Sequence, residues 1–289
     1  MISNPGAYKI PAEEYHSDPV VNPSLSRGVI MDILFRSPLH AWANHPRLNP
    51  ACKPTNDHKF DIGQAAHSLF LEGIDKAEII EADNWMKKES KERRDQAWQD
   101  GKIPLLTKEY DRVSEMVCAA NKALGASELS GLFDGGDAEL TYVWKDGPSW
   151  CRVRLDKITK DREIVLDYKT TGTSANPEDF IRLILSKGYD VQEVFYRRGV
   201  KAVEGIDPKF ILMVQENEPP YPCSFIGLSP EFHAMAEQKV IRGIDLWGNC
   251  MASGEWPGYP PRICWIDPPA WALNWEMRAT FLGSSMEEI

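Results

Sequence analysis

IVLDYKTT, Ile164 to Thr171, places an aspartate and a lysine two residues apart at the end of an apolar run. Side chains alternate faces along a strand, so Val165, Asp167 and Lys169 share one face and Ile164, Leu166 and Tyr168 the other. At about 3.3 Å per residue, Asp167 and Lys169 stand roughly 7 Å apart, and both can reach one small object off that face. The preceding β-rich run, WCRVRLDKI, carries Asp156 near its end. An antiparallel turn through the charged Thr-Lys-Asp stretch brings Asp156 back near Asp167. Two carboxylates converging with a lysine suit a hard cation such as Mg²⁺, which takes carboxylate oxygens and keeps waters and phosphate oxygens. The matching chemistry is phosphodiester hydrolysis, with Lys169 orienting or activating water or stabilising charge. Taken alone, Asp-x-Lys at a strand edge is more often a cross-strand ion pair on a solvated face.

Outward from this stretch the texture is regular. AELTYVWK, WCRVRLDKI and REIVLDYKT are three short β-rich runs beginning near Asp137. Asn176 as N-cap and Pro177 at the first helical position predict a helix over EDFIRLILSKG. A second helix is predicted over about 190–203, then strands KFILMVQE and YPCSFIGL, then a long helix capped by Ser229. Upstream, the first fifty-odd residues read as an arm with one short helix, about 24–35, closed by Ser37-Pro38. KFDIGQAAHSLFLEGI reads as a helix with Ala66, Leu69 and Phe70 inward, and 107–124 as another. The charged segment 83–99 is helix or exposed loop. The expectation is a mixed α+β fold of the α/β kind: a central mixed β-sheet flanked by helices, with a helical N-terminal part. It is one domain over 1–289, divided into the arm (1–58), a helical part (59–136) and the core (137–289).

Composition narrows the class. Hydrophobic residues at 43% and charged residues at 26% are ordinary for a soluble globular protein. No run is long and apolar enough to span a bilayer, and the N-terminus lacks a basic and apolar leader, so a cytoplasmic protein is expected. None of the six cysteines forms a C-x-x-C pair, so local zinc and redox motifs are absent. The net charge of −10 argues mildly against a nucleic-acid partner, yet RVRLDKITKDR and YRRGVK are locally basic.

Six blocks then occur in order: EEYHSDPVVNPSLSRGVIMDILFRSPLHAWA, GQAAHSLFLE, RVRLD, IVLDYKTT, GYDVQEVFYRRGV and VQENEPPY. Together they resemble the PD-(D/E)xK nuclease superfamily, and more closely its RecE-like (exonuclease VIII) phage and prophage exonucleases. The resemblance implies a restriction-endonuclease-like core, with Asp156 and Asp167 as metal ligands and Lys169 as the catalytic lysine. It implies His67 and the backbone carbonyl of Tyr168 as further ligands. Gln192 and Tyr196 match the family's Q-x-x-x-Y motif, and at i and i+4 they share one helix face. Glu139 is a candidate accessory acid. Arg152, Arg154, Thr170, Thr171, Arg197, Arg198 and Lys201 are candidate DNA contacts. Leu155 stands where the superfamily's name expects proline, and the cysteine spacing of iron–sulfur relatives is absent, so no cluster is expected.

The activity implied is Mg²⁺-dependent (Mn²⁺ substituting) 5′→3′ digestion of linear double-stranded DNA. It leaves 3′ single-stranded tails for an annealing protein, and the resemblance also implies a ring-like homo-oligomer. An endonuclease or repair nuclease of the same superfamily, or a non-catalytic DNA-binding module, are the alternatives.

Overall fold

Three consecutive apolar runs build the centre of a sheet in the computed structural model, which describes residues 1–52 and 61–269. They are β4 (Asp137–Asp146), β5 (Ser149–Ile158) and β6 (Ile164–Thr171), joined as an antiparallel meander. Gly147-Pro148 turns the first pair, with Gly147 at φ +56, a conformation that glycine adopts without a Cβ penalty. From β6 the chain crosses through α7 (Pro177–Lys187) and α8 (Tyr189–Glu204) to β7 (Lys209–Glu216), which pairs parallel with β6. A parallel neighbour requires such a crossover. β8 (Cys223–Gly227) returns antiparallel on β7, and α9 (Pro230–Ser253) follows. The sheet is therefore mixed, as expected. The start signals also hold: Asn176 accepts the Glu178 N–H at 2.9 Å and Ser229 that of Phe232 at 3.4 Å.

The arm contains more structure than its composition suggests. β1 (Gly6–Tyr8) pairs with β4 and completes a six-stranded sheet ordered β1-β4-β5-β6-β7-β8. Three helices follow instead of one: α1 (Ala12–His16), α2 (Arg27–Phe35) and α3 (Pro38–Asn44). Ser37-Pro38 does end α2, but it also opens α3. Pro38 sits at the first helical position, where no N–H is needed, and Ser37 caps the His40 N–H. The middle part holds α4 (Asp61–Glu72), α5 (Lys88–Gln99) and α6 (Thr107–Gly125). It also holds an unexpected parallel pair, β2 (Ala77–Ile80) and β3 (Ile103–Leu106), whose four-residue length is too short for a readable period. The expected boundary at 58 lies outside the described residues, as do Lys59 and Phe60 of the expected helix and the expected core from 270 on. The chain divides into a compact unit, Met1–Pro257, and a segment Gly258–Ile289, whose described residues carry no helix or strand.

Helices cover both faces of the sheet. One apolar layer joins Val165, Leu155 and Leu212 to α2, α7, α8 and α9. Gly199 lets α8 approach closely there, since a Cβ would stand 2.8 Å from the Trp144 ring. The other layer joins Leu166, Tyr168 and Met213 to α4, β3 and α6. Consecutive residues of β6 thus enter opposite layers, as strand alternation demands. No helix among the described residues is long and apolar enough to cross a membrane.

Candidate active site

The β5–β6 ladder is recorded at two rungs, Lys157↔Leu166 and Ile158↔Val165, and Asp156 lies just beyond them. There its carboxylate takes the place of a backbone partner: Oδ2 accepts the Tyr168 N–H at 2.8 Å. From α4, on the Tyr168 side of the sheet, His67 Nε2 reaches the same oxygen at 3.0 Å. Ala66 and Phe70 bury one stripe of α4, which leaves His67 half-buried at its edge, one turn from Gly63. A Cβ on Gly63 would stand 2.9 Å from Thr170 Oγ1, so glycine permits α4 to lie against the end of β6.

On the other face Asp167 is almost fully buried. α8 supplies Gln192, whose Nε2 donates to Asp167 Oδ1 at 2.5 Å, and Lys169 ion-pairs with Oδ2. Tyr196, one turn further along α8, packs edge-on to Phe210 with centroids 5.9 Å apart and lines the same cleft. Glu139 lies in β4 beside Asp156, where its His67-facing oxygen is 3.4 Å from Nδ1 and its other oxygen pairs with Arg154. Its φ of +56 lies in the left-handed region, which a non-glycine residue occupies at a cost of about 1–3 kcal/mol, typically at functional sites. His67, Glu139, Asp156, Lys169 and Tyr196 line an open cleft of about 770 Å³ together with Thr170, Tyr15 and His16, whereas Asp167 and Gln192 are buried.

The charges are strongly coupled. Burial opposes ionisation of Asp156, but the charges of His67 and Lys169 and the hydrogen bonds from His67 and the Tyr168 amide outweigh it and hold its pKa low. Burial and the neighbouring Asp156 charge push Asp167 up to about 6, against the pull of Lys169. Burial disfavours the Lys169 ammonium, yet Asp167 and Asp156 more than compensate and keep it charged. The pKa of His67 is likewise raised: its desolvation works against the charged form, but the Asp156 and Glu139 carboxylates outweigh it.

Ligand atoms of His67, Glu139 and Asp156 lie within 4.8 Å of one another, a spacing that one cation could bridge. The nearby Asp167 Oδ2 is buried without a well-directed hydrogen bond, despite its contact with Lys169. Carboxylate oxygens suit hard divalent ions, and a single imidazole also admits softer ones. The residues present therefore fit a divalent ion. Because an ion displaces protons from His67 and Asp167, metal affinity should fall as pH drops through about 6, and binding should release protons. Calorimetry in buffers of different ionisation enthalpy reads both effects. An affinity that stays flat from about pH 5 to 8 would exclude the protonated ligands.

The expected DNA contacts divide. Thr170 lines the cleft, whereas Thr171 is buried against the Thr173 hydroxyl at 3.0 Å. Arg152 faces inward: it is 4% exposed and its NH1 lies 3.0 Å from Asp18. The alternation that points Asp156 off β5 sends Arg152 and Arg154 the same way, under the arm. Arg197, Arg198 and Lys201 line a separate concavity with Asp146 and Asp207, which neutralise them and share no wall with the cleft. Tyr15, His16 and Gly63 enter the cleft without having been singled out as site residues. For the first two, the one sequence signal is the EEYHSD block itself.

Residues 33–265 match the PDDEXK-like domain of unknown function (DUF3799), and the chain belongs to that family. Such nucleases generally use divalent metals, and family and site together support a nuclease. No curated protein matches the sequence. Among solved structures, the chain is similar in fold to a "Putative exonuclease" from Eubacterium rectale, at 12% identity and TM-score 0.60 over 92% of this chain and 98% of that one. A structure of SSO0001 aligns at 14% identity over 63% of this chain and 86% of that one, with a TM-score of 0.26 that carries no argument.

Proposed function

We propose that the protein is a Mg²⁺-dependent exodeoxyribonuclease acting on the ends of linear double-stranded DNA, with Mn²⁺ able to replace Mg²⁺. One observation carries the reading: Asp156 and Lys169 from two splayed strands meet His67 from α4 in one open cleft, with Asp167 buried against Lys169 and fixed by Gln192 from α8. His67, Asp156, Asp167, Glu139 and the Tyr168 carbonyl would hold the ion. A bound divalent ion polarises a phosphoryl oxygen and lowers the pKa of a water. Lys169 stays protonated beside Asp167, so it orients the attacking water and offsets charge on the phosphorane; it does not take the proton. Gln192 fixes the rotamer of Asp167, and Tyr196 and Thr170 border the scissile phosphate.

The digestion runs 5′→3′ and leaves 3′ tails for a single-strand annealing protein in the cytoplasm. A ring-like homo-oligomer keeps the enzyme on its substrate. The sequence resemblance supports these finer features. The test is digestion of end-labelled linear duplex and of closed circular duplex, with Mg²⁺ and with EDTA. Linear DNA should shorten from its 5′ ends only when the metal is present, and circles should survive. Cleavage of intact circles would replace the exonuclease by an endonuclease.

A further inference from the structure

The wall of the cleft opposite α4 comes from the arm, and two arginines of β5 hold it there. Arg154 NH1 donates to the Ile10 carbonyl at 3.3 Å, and Arg152 Nε to that of Tyr15 at 3.3 Å. Arg152 NH1 also donates to the Ser24 carbonyl and hydroxyl, both at 2.7 Å, and its guanidinium lies 5.4 Å from the Tyr15 ring centroid. Asp18 closes the arrangement. Its buried carboxylate accepts the Ser24 N–H at 2.8 Å and hydroxyl at 2.6 Å, and ion-pairs with Arg152. Asp18 itself sits at φ +61, a conformation that few non-glycine residues take. The network pins both ends of α1, a single helical turn.

What α1 presents into the cleft is His16. The imidazole is exposed, rests against Tyr15 at 5.2 Å between centroids, and has no hydrogen bond or ion pair among the described residues. An exposed donor with no partner in the chain, on a turn held at both ends and lining the same open cleft as Lys169 and His67, is available to an acceptor from outside the chain. We infer that His16 donates a hydrogen bond to a backbone phosphate of the DNA strand in the cleft, and that Asp18 and Arg152 are the positioning residues that set it there. Partial desolvation at the cleft wall and the charges of Arg154 and Arg152 hold the free imidazole below its ordinary pKa, which leaves a neutral N–H donor for a phosphate oxygen.

The inference rests on the nuclease reading, and kinetics on linear duplex separate the two. His16→Ala should raise KM about tenfold while kcat changes much less, as expected when binding common to ground and transition state is lost. His16→Gln, which restores an N–H donor, should recover part of that loss. Asp18→Asn, assayed on protein whose circular dichroism shows it folded, should raise KM similarly. Adding His16→Ala to it should raise KM little further, because both act through one contact. A wild-type KM in His16→Ala, or fully additive losses in the pair, overturns the assignment. If Asp167→Ala cuts as well as wild type, it is the nuclease site that fails instead.

Discussion

Asp167→Ala and Lys169→Ala should each reduce DNA cleavage by about a thousandfold or more, and the double variant should cut no worse than either single one. The size follows from the loss of preorganised charge in a water-poor site, where one such group is worth about 10² to 10³ in rate. Non-additivity follows because the two side chains act as a pair: Lys169 contacts Asp167 Oδ2, and Gln192 fixes the opposite oxygen. Stability should move the other way in one variant. Asp167 is buried beside Asp156, and that charge makes its ionisation unfavourable. Asp167→Asn should therefore keep or raise the unfolding midpoint while abolishing cutting, the usual signature of a site built at the expense of stability. Residual cleavage near wild type in both single variants would remove Asp167 and Lys169 from the chemistry.

Asp18→Ala should cost about 3–5 kcal/mol of folding stability, because it leaves a buried guanidinium without its counter-charge. Against a total of about 5–15 kcal/mol for an ordinary domain, that is a large share. Arg152 is 4% exposed and cannot turn to solvent without pulling away from the Tyr15 and Ser24 carbonyls. His45 Nε2, 3.4 Å from the same carboxylate, would also lose that contact and keep only the Ser24 carbonyl at 3.2 Å. Replacing both members, Asp18→Ala with Arg152→Met, should recover much of the loss, since an apolar side chain of similar length needs no counter-ion. Urea titration followed by tryptophan fluorescence measures both. A cost below about 1 kcal/mol for Asp18→Ala would place the pair among weakly contributing ion pairs.

The core was legible because its signals are local. Strand alternation in IVLDYKTT sends Leu166 and Tyr168 to one layer and Asp167 and Lys169 to the other, and Asn176-Pro177 starts α7 where the cap rule puts it. The convergence of Asp156 with Asp167 could be read as a hairpin. The splay between them could not, since it depends on Asp156 accepting the Tyr168 N–H. Arg152 and Arg154 were legible as a basic pair but not as arm anchors. Their partners on the arm lie more than a hundred residues away and are mostly backbone carbonyls, which leave no mark in composition. β2 and β3 failed for a different reason: each has only four residues, and those of β3 are all buried, so neither shows a readable period.

The distances along the chain have a consequence for how this molecule comes into being. Residues 10–24 leave the ribosome well before β5, since their anchors there are separated from them by 128 to 144 positions. Contacts of that span are slow to form, because a long loop must close before any of them is made. The sheet can assemble around β4 to β6 while the arm is still searching. Docking of α1 is then a late event, and a nascent or newly refolded chain has its carboxylates and lysine in place before the opposite wall of the cleft arrives.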